Sequence, residues 1–284
     1  MIKHYLKIAL RNLGRQKVLA FINVSGLSIG LGCFILFMLY AVSEFSYDRF
    51  HANKNDIYRV YLYSHPKGGS SANYDPYLPM PMGAALKQDM PDVKHIVRTQ
   101  QGWSAGFVKA NGKTIKQSLT FADPELFTVF SFPLQSGKVF NDPAGMVLTE
   151  KTAREFFGNR NAVGEVVEVD IDGKFQPFTV TGICKDLPRH SSIQFGMLLH
   201  FDYLLNTGFV KESDNNWQMG PYQFYVQLQP GSKLAEQQEK LIAFRKKYYP
   251  NEETKSREAG WQGQGPRHVL RLQPLTGILT NVDL

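Results

Sequence analysis

The chain has 284 residues, 43% hydrophobic and 20% charged, which excludes a disordered polymer and leaves room for one large domain or two small ones. The net charge is +7, but Lys3, Lys7, Arg11, Arg15 and Lys17 supply five of these, with no acid among residues 1–17. The rest of the chain carries +2, which excludes a nucleic-acid surface, since that needs a basic patch in the folded part.

In chain order, residues 2–16 read as an amphipathic helix. Lys3, Lys7, Arg11 and Arg15 recur every four residues, with Ile2, Leu6, Ala9, Leu10 and Leu13 on other faces. Such a helix lies in the cytoplasmic interface with its cations on anionic headgroups, or simply flanks a span under the positive-inside rule; the residues alone fit both. Val18–Val42 follows, 25 residues without a charged side chain. As a helix it reaches about 37 Å, enough for a hydrocarbon core of about 30 Å. A signal-peptide core runs to about 15 residues, so this stretch reads as an uncleaved anchor despite the small-x-small run Ala41, Val42, Ser43. Cations before it and Glu44 and Asp48 after it put the N-terminus inside. The expected organisation is residues 1–17 as a cytoplasmic elbow helix, 18–42 as the transmembrane helix and 43–284 as a periplasmic domain. Gly26, Ser28, Gly30 and Gly32 form small-xxx-small spacings suited to packing against another membrane helix.

Asp56–Tyr63 alternates as a strand with one buried face. Residues 64–79 read as a loop, Met82–Met90 as a helix stopped by Pro91, and Val93–Gln100 as a strand. Asn111 and Gly112 signal a hairpin between Phe107–Ala110 and Thr114–Leu119. Asp123 and Pro124 read as N-cap and first residue of a short helix. Thr149 caps a helix from Glu150 to Phe157, ended by Gly158. Asp172 and Gly173 turn a second hairpin, Glu165–Ile171 with Phe175–Cys184. Gln223–Gln229 is a strand, Ser232 caps a helix to Tyr248, residues 251–266 are a polar Gly-rich connection, and His268–Gln273 is the last strand. Mixed strands and helices with several hairpins make the outer part α+β.

No catalytic constellation emerges. There is no P-loop and no H-E-x-x-H, and seven scattered histidines give no zinc site. Glu168, Asp170 and Asp172 share a strand face without the closing Glu of a calcium loop, and read as a solvated face. Cys33 and Cys184 cannot meet, and nothing orients His190 toward Cys184. Arg245, Lys246 and Lys247 read as the wet side of their helix. No cofactor, metal or catalytic residue is expected.

Several stretches, in order, resemble the MacB/FtsX-type permeases of ABC systems. They are Lys7–Leu13 with Asn23–Leu31, Glu44–His51, Ile57–Val60, Ala122–Phe127, Phe130–Leu134, Val147–Glu150, Phe157–Gly158, Val180–Gly182, Lys185–Pro188 and Ser192–Phe195. The resemblance implies a bacterial inner-membrane permease subunit with a MacB-like periplasmic core domain. It would be non-enzymatic, forming a homo- or heterodimer in membrane lipid and coupling a separate cytoplasmic ABC ATPase to its periplasmic domain. The basic segment bearing Lys3, Lys7, Arg11, Arg15 and Lys17 then corresponds to the elbow where the ATPase acts. After Leu272–Leu275 the family continues into three further spans, whereas here Thr276–Leu284 ends the sequence, so a truncated permease is expected. The alternative is a single-span, membrane-anchored periplasmic sensor or binding module without transport.

Overall fold

The computed structural model describes residues 4–5, 11, 15–68, 71–206, 215–218 and 220–279, with 102–105 described for their backbone only. The chain divides into two compact units, Met1–Ser46 and Tyr47–Leu284.

The first unit contains helix α1, Lys17–Phe45, one residue longer at its start and three at its end than the apolar stretch Val18–Val42. None of its residues is buried, and by length and composition it can cross a membrane. Lys3, Lys7 and most of the expected elbow helix lie outside the described residues; Arg11, Arg15 and Lys17 are exposed.

The second unit starts from a four-stranded antiparallel sheet ordered β11-β1-β10-β3, formed by β1 (Ile57–Ser64), β3 (Val93–Ala110), β10 (Gln223–Leu228) and β11 (His268–Pro274). Helix α2 (Pro81–Asp89) links β1 to β3, and α5 (Gln238–Tyr248) links β10 to β11. These are two interleaved β-α-β units, a ferredoxin-like arrangement split between β3 and β10 by a long insertion. On one sheet face Val60, Phe224, Val226, Leu270 and Leu272 pack with Met82, Leu86, Leu241 and Phe244 of the two helices. The other face, with Ile57, Val97 and Tyr225, is also covered, by Phe130, Phe132 and Phe195. β1 is therefore buried on both sides, where its sequence suggested one buried face.

The insertion closes on itself. β3 pairs with β4 (Lys113–Ala122), β4 with β9 (Met197–His200), β9 with β6 (Gly145–Thr149), β6 with β8 (Lys174–Cys184), β8 with β7 (Val166–Ile171), and β7 with β3 again. Six strands thus form a hydrogen-bonded ring whose interior is filled by side chains, as expected for a small barrel. Val108, Leu119, Met146, Val167, Phe178 and Met197 are each 0% exposed there. The ring closes at Gly106, where a Cβ would stand 2.6 Å from the Asp170 carbonyl oxygen. Helix α4 (Glu150–Phe157) contributes Ala153, Phe156 and Phe157 to the same core.

Local signals behaved as their chemistry requires. Asn111 and Gly112 take φ of 50° and 72°, and Asp172 and Gly173 take 53° and 78°, the left-handed pairs of tight hairpin turns. Thr149 Oγ1 accepts from the Thr152 amide, and Gly158 ends α4 at φ 66°. Departures came from tertiary pairing. Residues 64–79 include β2 (Asn73–Asp75), paired to β1, and 251–266 include α6 (Glu252–Glu258). The expected strands at 93–100 and 107–110 are one continuous β3, and the helix expected from Ser232 breaks at Gln237 into a 3-10 turn, Leu234–Glu236, followed by α5. β5 (Leu134–Gly137) lies at one sheet edge and α3 (Leu126–Val129) follows β4.

Phe178 tests the ring. Truncating a fully buried phenylalanine removes its transfer energy and leaves a cavity, so Phe178→Ala should cost about 3–5 kcal/mol. Urea denaturation of the full chain in detergent, followed by tryptophan fluorescence, measures it.

Candidate functional site

The residues singled out from sequence separate in space. Along α1, at about 100° per residue, Gly26 and Gly30 share one side and Ser28 and Gly32 lie about 200° around from them. These are two small-residue faces rather than one, and a Cβ at Gly26, Gly30 or Gly32 would meet nothing within 4 Å. Cys184 is buried, and burial pushes its thiol up to about 12, aided by the Asp186 and Glu150 carboxylates. No imidazole activates it. Glu168 and Asp172 are exposed and Asp170 is half-buried. Among the described residues, no group of three or more His, Cys, Asp or Glu side chains gathers as metal ligands would. Arg245 is not on the wet side of α5. It is 7% exposed and held by Glu252, while Lys247 binds Asp89.

The structure instead assembles a buried polar cluster where the chain enters the folded domain. Asp48, three residues after α1, is 0% exposed and takes φ 55°, a left-handed conformation that aspartate tolerates better than most residues. Its amide donates to the His190 carbonyl at 2.9 Å. Its Oδ1 accepts from the Ser192 amide at 2.9 Å and the Ser191 hydroxyl at 3.2 Å. His51, 1% exposed, accepts from the Ser131 amide at Nδ1, 2.9 Å away, and the Ala52 amide donates to Ser131 Oγ at 2.8 Å. The His51 ring meets Phe130 and Phe132 edge-on, with centroids 5.1 and 5.0 Å away. Phe132 in turn meets Phe195, and Phe130 meets Tyr225 of the open sheet. Residues 48–52 are thereby fastened to two other loops, 130–132 and 190–192.

The electrostatics of this latch follow from burial. Desolvation pushes the Asp48 carboxyl above its usual range, against the Ser192 and Ser191 hydrogen bonds and the nearby His190. Desolvation pushes His51 down to about 4. Geometry agrees, because a ring whose Nδ1 accepts the Ser131 proton is neutral, with its own proton on Nε2. His51 Nε2 and Asp48 Oδ1 stand 3.8 Å apart, too far for a hydrogen bond.

A second polar junction ties the open sheet to the ring. Asp123 was expected to cap a helix. Its carboxylate instead grips Arg98 of β3, accepting from the Arg98 amide at 2.8 Å and from its guanidinium at 2.6 Å. Arg98 also reaches Asp202 at 2.7 Å and lies over the Phe201 ring, 4.5 Å from its centroid. Burial opposes the Arg98 charge, and the Asp123 and Asp202 carboxylates more than offset it.

His51 makes a pH prediction. Unfolded histidine titrates near 6.5, whereas the folded ring stays neutral to about 4. Between those values the unfolded chain binds more protons, so stability present above pH 6.5 is lost as pH falls, by roughly 3 kcal/mol at most. Asp48, shifted the other way, loses stability as pH rises past the ordinary carboxylate range. His51→Gln keeps an acceptor for Ser131 but does not titrate, so its stability should be flatter than wild type between pH 6.5 and 4 in urea denaturation.

Comparison with known proteins identifies the fold. The family model of the MacB-like periplasmic core domain matches residues 20–244. A domain of a protein described as a permease, from Porphyromonas gingivalis, is 23% identical with a TM-score of 0.64, covering 80% of this chain and 92% of that one. The periplasmic region of MacB from Actinobacillus actinomycetemcomitans is 15% identical with a TM-score of 0.50, covering 74% of this chain and 95% of that one. Comparison with curated proteins found no match. Both solved likenesses bear on the fold alone, and the family match spans well over half the sequence. An apolar helix of membrane-spanning length followed by a split ferredoxin-like sheet with an inserted ring is thus the frame of a domain of ABC-type transporter permeases, and the chain belongs to the MacB-like periplasmic core domain family.

Proposed function

We propose that this chain is a permease component of an ABC-type export or mechanotransmission complex, in which a separate cytoplasmic ATPase drives motion that reaches the periplasmic domain through α1. In this reading residues 18–42 span the inner membrane, residues 1–17 stay inside, and 43–284 form the periplasmic domain. Arg11, Arg15 and Lys17, with Lys3 and Lys7, face the cytoplasmic interface where the ATPase acts. The faces of Gly26/Gly30 and Ser28/Gly32 admit close packing of partner spans within a permease dimer in lipid. The chain itself does no chemistry; its relatives are transporter permease domains.

The observation that carries this reading is the latch. A device that passes motion from a helix into a domain needs its first folded residues held on several sides. Asp48 and His51 are held by Ser131, Ser191, Ser192 and the His190 carbonyl, beginning three residues beyond α1.

Co-expression with an ABC ATPase from the same genome tests the reading. The ATPase should co-purify with the full-length protein, and Arg11→Glu with Arg15→Glu should abolish its capture. Asp48→Ala with His51→Ala should leave capture intact yet remove ATP-dependent changes in amide exchange within residues 57–274. Absence of any captured ATPase, or unchanged exchange responses in the latch variant, would count against it.

A further inference from the structure

A cleft on the second unit carries features that neither the latch nor the permease reading uses. It encloses about 580 Å³, within the usual range of small-molecule sites, and a side pocket of about 110 Å³ adjoins it. The two share a wall that includes Arg245, Tyr249, Glu252, Arg267 and His268.

The charges on that wall do not balance. Arg245 is satisfied, with Nε 2.7 Å and a terminal nitrogen 2.5 Å from the two Glu252 oxygens, and with its guanidinium 4.1 Å above the Tyr249 ring. Arg267 has nothing comparable. Its guanidinium makes no hydrogen bond or ion pair among the described residues, and its Nε is buried without a partner. Two other arginines with a buried, unpartnered Nε are otherwise employed: Arg59 donates to Gln273 at 2.6 Å and Arg271 covers the Tyr63 ring at 3.9 Å. Arg267 as a whole is half-buried, but its buried Nε–H left unmatched is costly, so a matching acceptor at this guanidinium is the expected occupant. Lys255 adds a further cation at the cleft, exposed and without an ion pair among the described residues. His268 is committed through Nδ1 to the Ser64 hydroxyl at 2.7 Å. The cleft is lined also by aromatic rings: Tyr77, 48% exposed, and Trp217, stacked on Tyr248 with ring centroids 4.6 Å apart.

We infer that this cleft binds a small carboxylate ligand with an aromatic or apolar body, the C-terminal end of a short peptide being the chemistry that fits. The carboxylate pairs with the Arg267 guanidinium, whose planar fork suits two carboxylate oxygens. The apolar body lies against Tyr77 and Trp217. The side pocket has room for one small group beside Arg267 and not for a folded partner. The inference is independent of the permease reading.

Full-length protein in detergent, titrated calorimetrically, provides the test. The probes are N-acetylated dipeptides ending in Phe, Trp, Tyr or Leu, each as free acid and as C-terminal amide, with sodium phosphate alongside. A free acid should bind, its amide should bind about tenfold more weakly or worse, and Arg267→Gln should lose the preference while melting as wild type does. Lys255→Gln, at an exposed position, should weaken the acid severalfold without affecting the fold, which keeps the test open if Arg267→Gln is unstable. Equal binding of acid and amide, phosphate binding as tightly as the peptides, or no acid binding at millimolar concentration would each overturn the inference.

Discussion

The domain depends on β3 belonging to two structures at once. Its 18 residues extend roughly 60 Å. The first part pairs with β10 in the open sheet, and the last part closes the ring between β4 and β7. One continuous strand therefore runs from one half to the other, its pairing with β4 shifting register between Gln100 and Trp103 and again between Trp103 and Gly106. Arg98 sits on this strand and binds carboxylates at the end of β4 and just after β9, adding a charged clamp to the shared ladder. The Phe130, Phe132 and Phe195 cluster fills the angle where the open sheet and the outside of the ring meet, through Val97, Tyr225, Ala122 and Leu198.

The latch is fastened to that same cluster, which gives its cost a purpose. Burying Asp48 and His51 is unfavourable, and their shifts in opposite directions show that both are pressed toward neutrality. A well-packed apolar pair would stabilise the fold at least as well. A polar latch adds direction. Amides of Ser131 and Ser192 and the carbonyl of His190 accept only one placement of residues 48–51, whereas apolar contacts tolerate sliding. In the proposed permease reading, unique placement at the junction matters more than the last increment of stability.

The helix shows the complementary economy. α1 carries no charge between Val18 and Val42 and by length and composition can cross a membrane, and its two small-residue faces are the feature that this composition leaves unexplained. Two faces allow neighbours on both sides. In the proposed permease reading those neighbours are the partner spans of a bundle.

What the sequence disclosed was what local chemistry controls. Asn111–Gly112, Asp172–Gly173 and the Thr149 cap could be placed because left-handed turns and orphan amides demand particular residues. β9 is a four-residue buried run, Met197–His200, that no periodicity distinguishes, and its place between β4 and β6 is fixed entirely by partners distant in sequence. α6 was hidden by the Gly-rich text after it, although Glu253 and Arg257 stand at the spacing of a helical ion pair. Arg245 was misjudged because a cation in an Arg-Lys-Lys run looks solvated until Glu252, beyond the helix-ending Pro250, folds back to meet it. The latch was legible in fragments. Glu44–His51, Phe130–Leu134 and Ser192–Phe195 each drew notice through family resemblance, but no rule of spacing could show that they converge. An Asp and a His three residues apart just past an apolar helix, interleaved with Phe45, Tyr47 and Phe50, are the local hint, and both turn out to be buried.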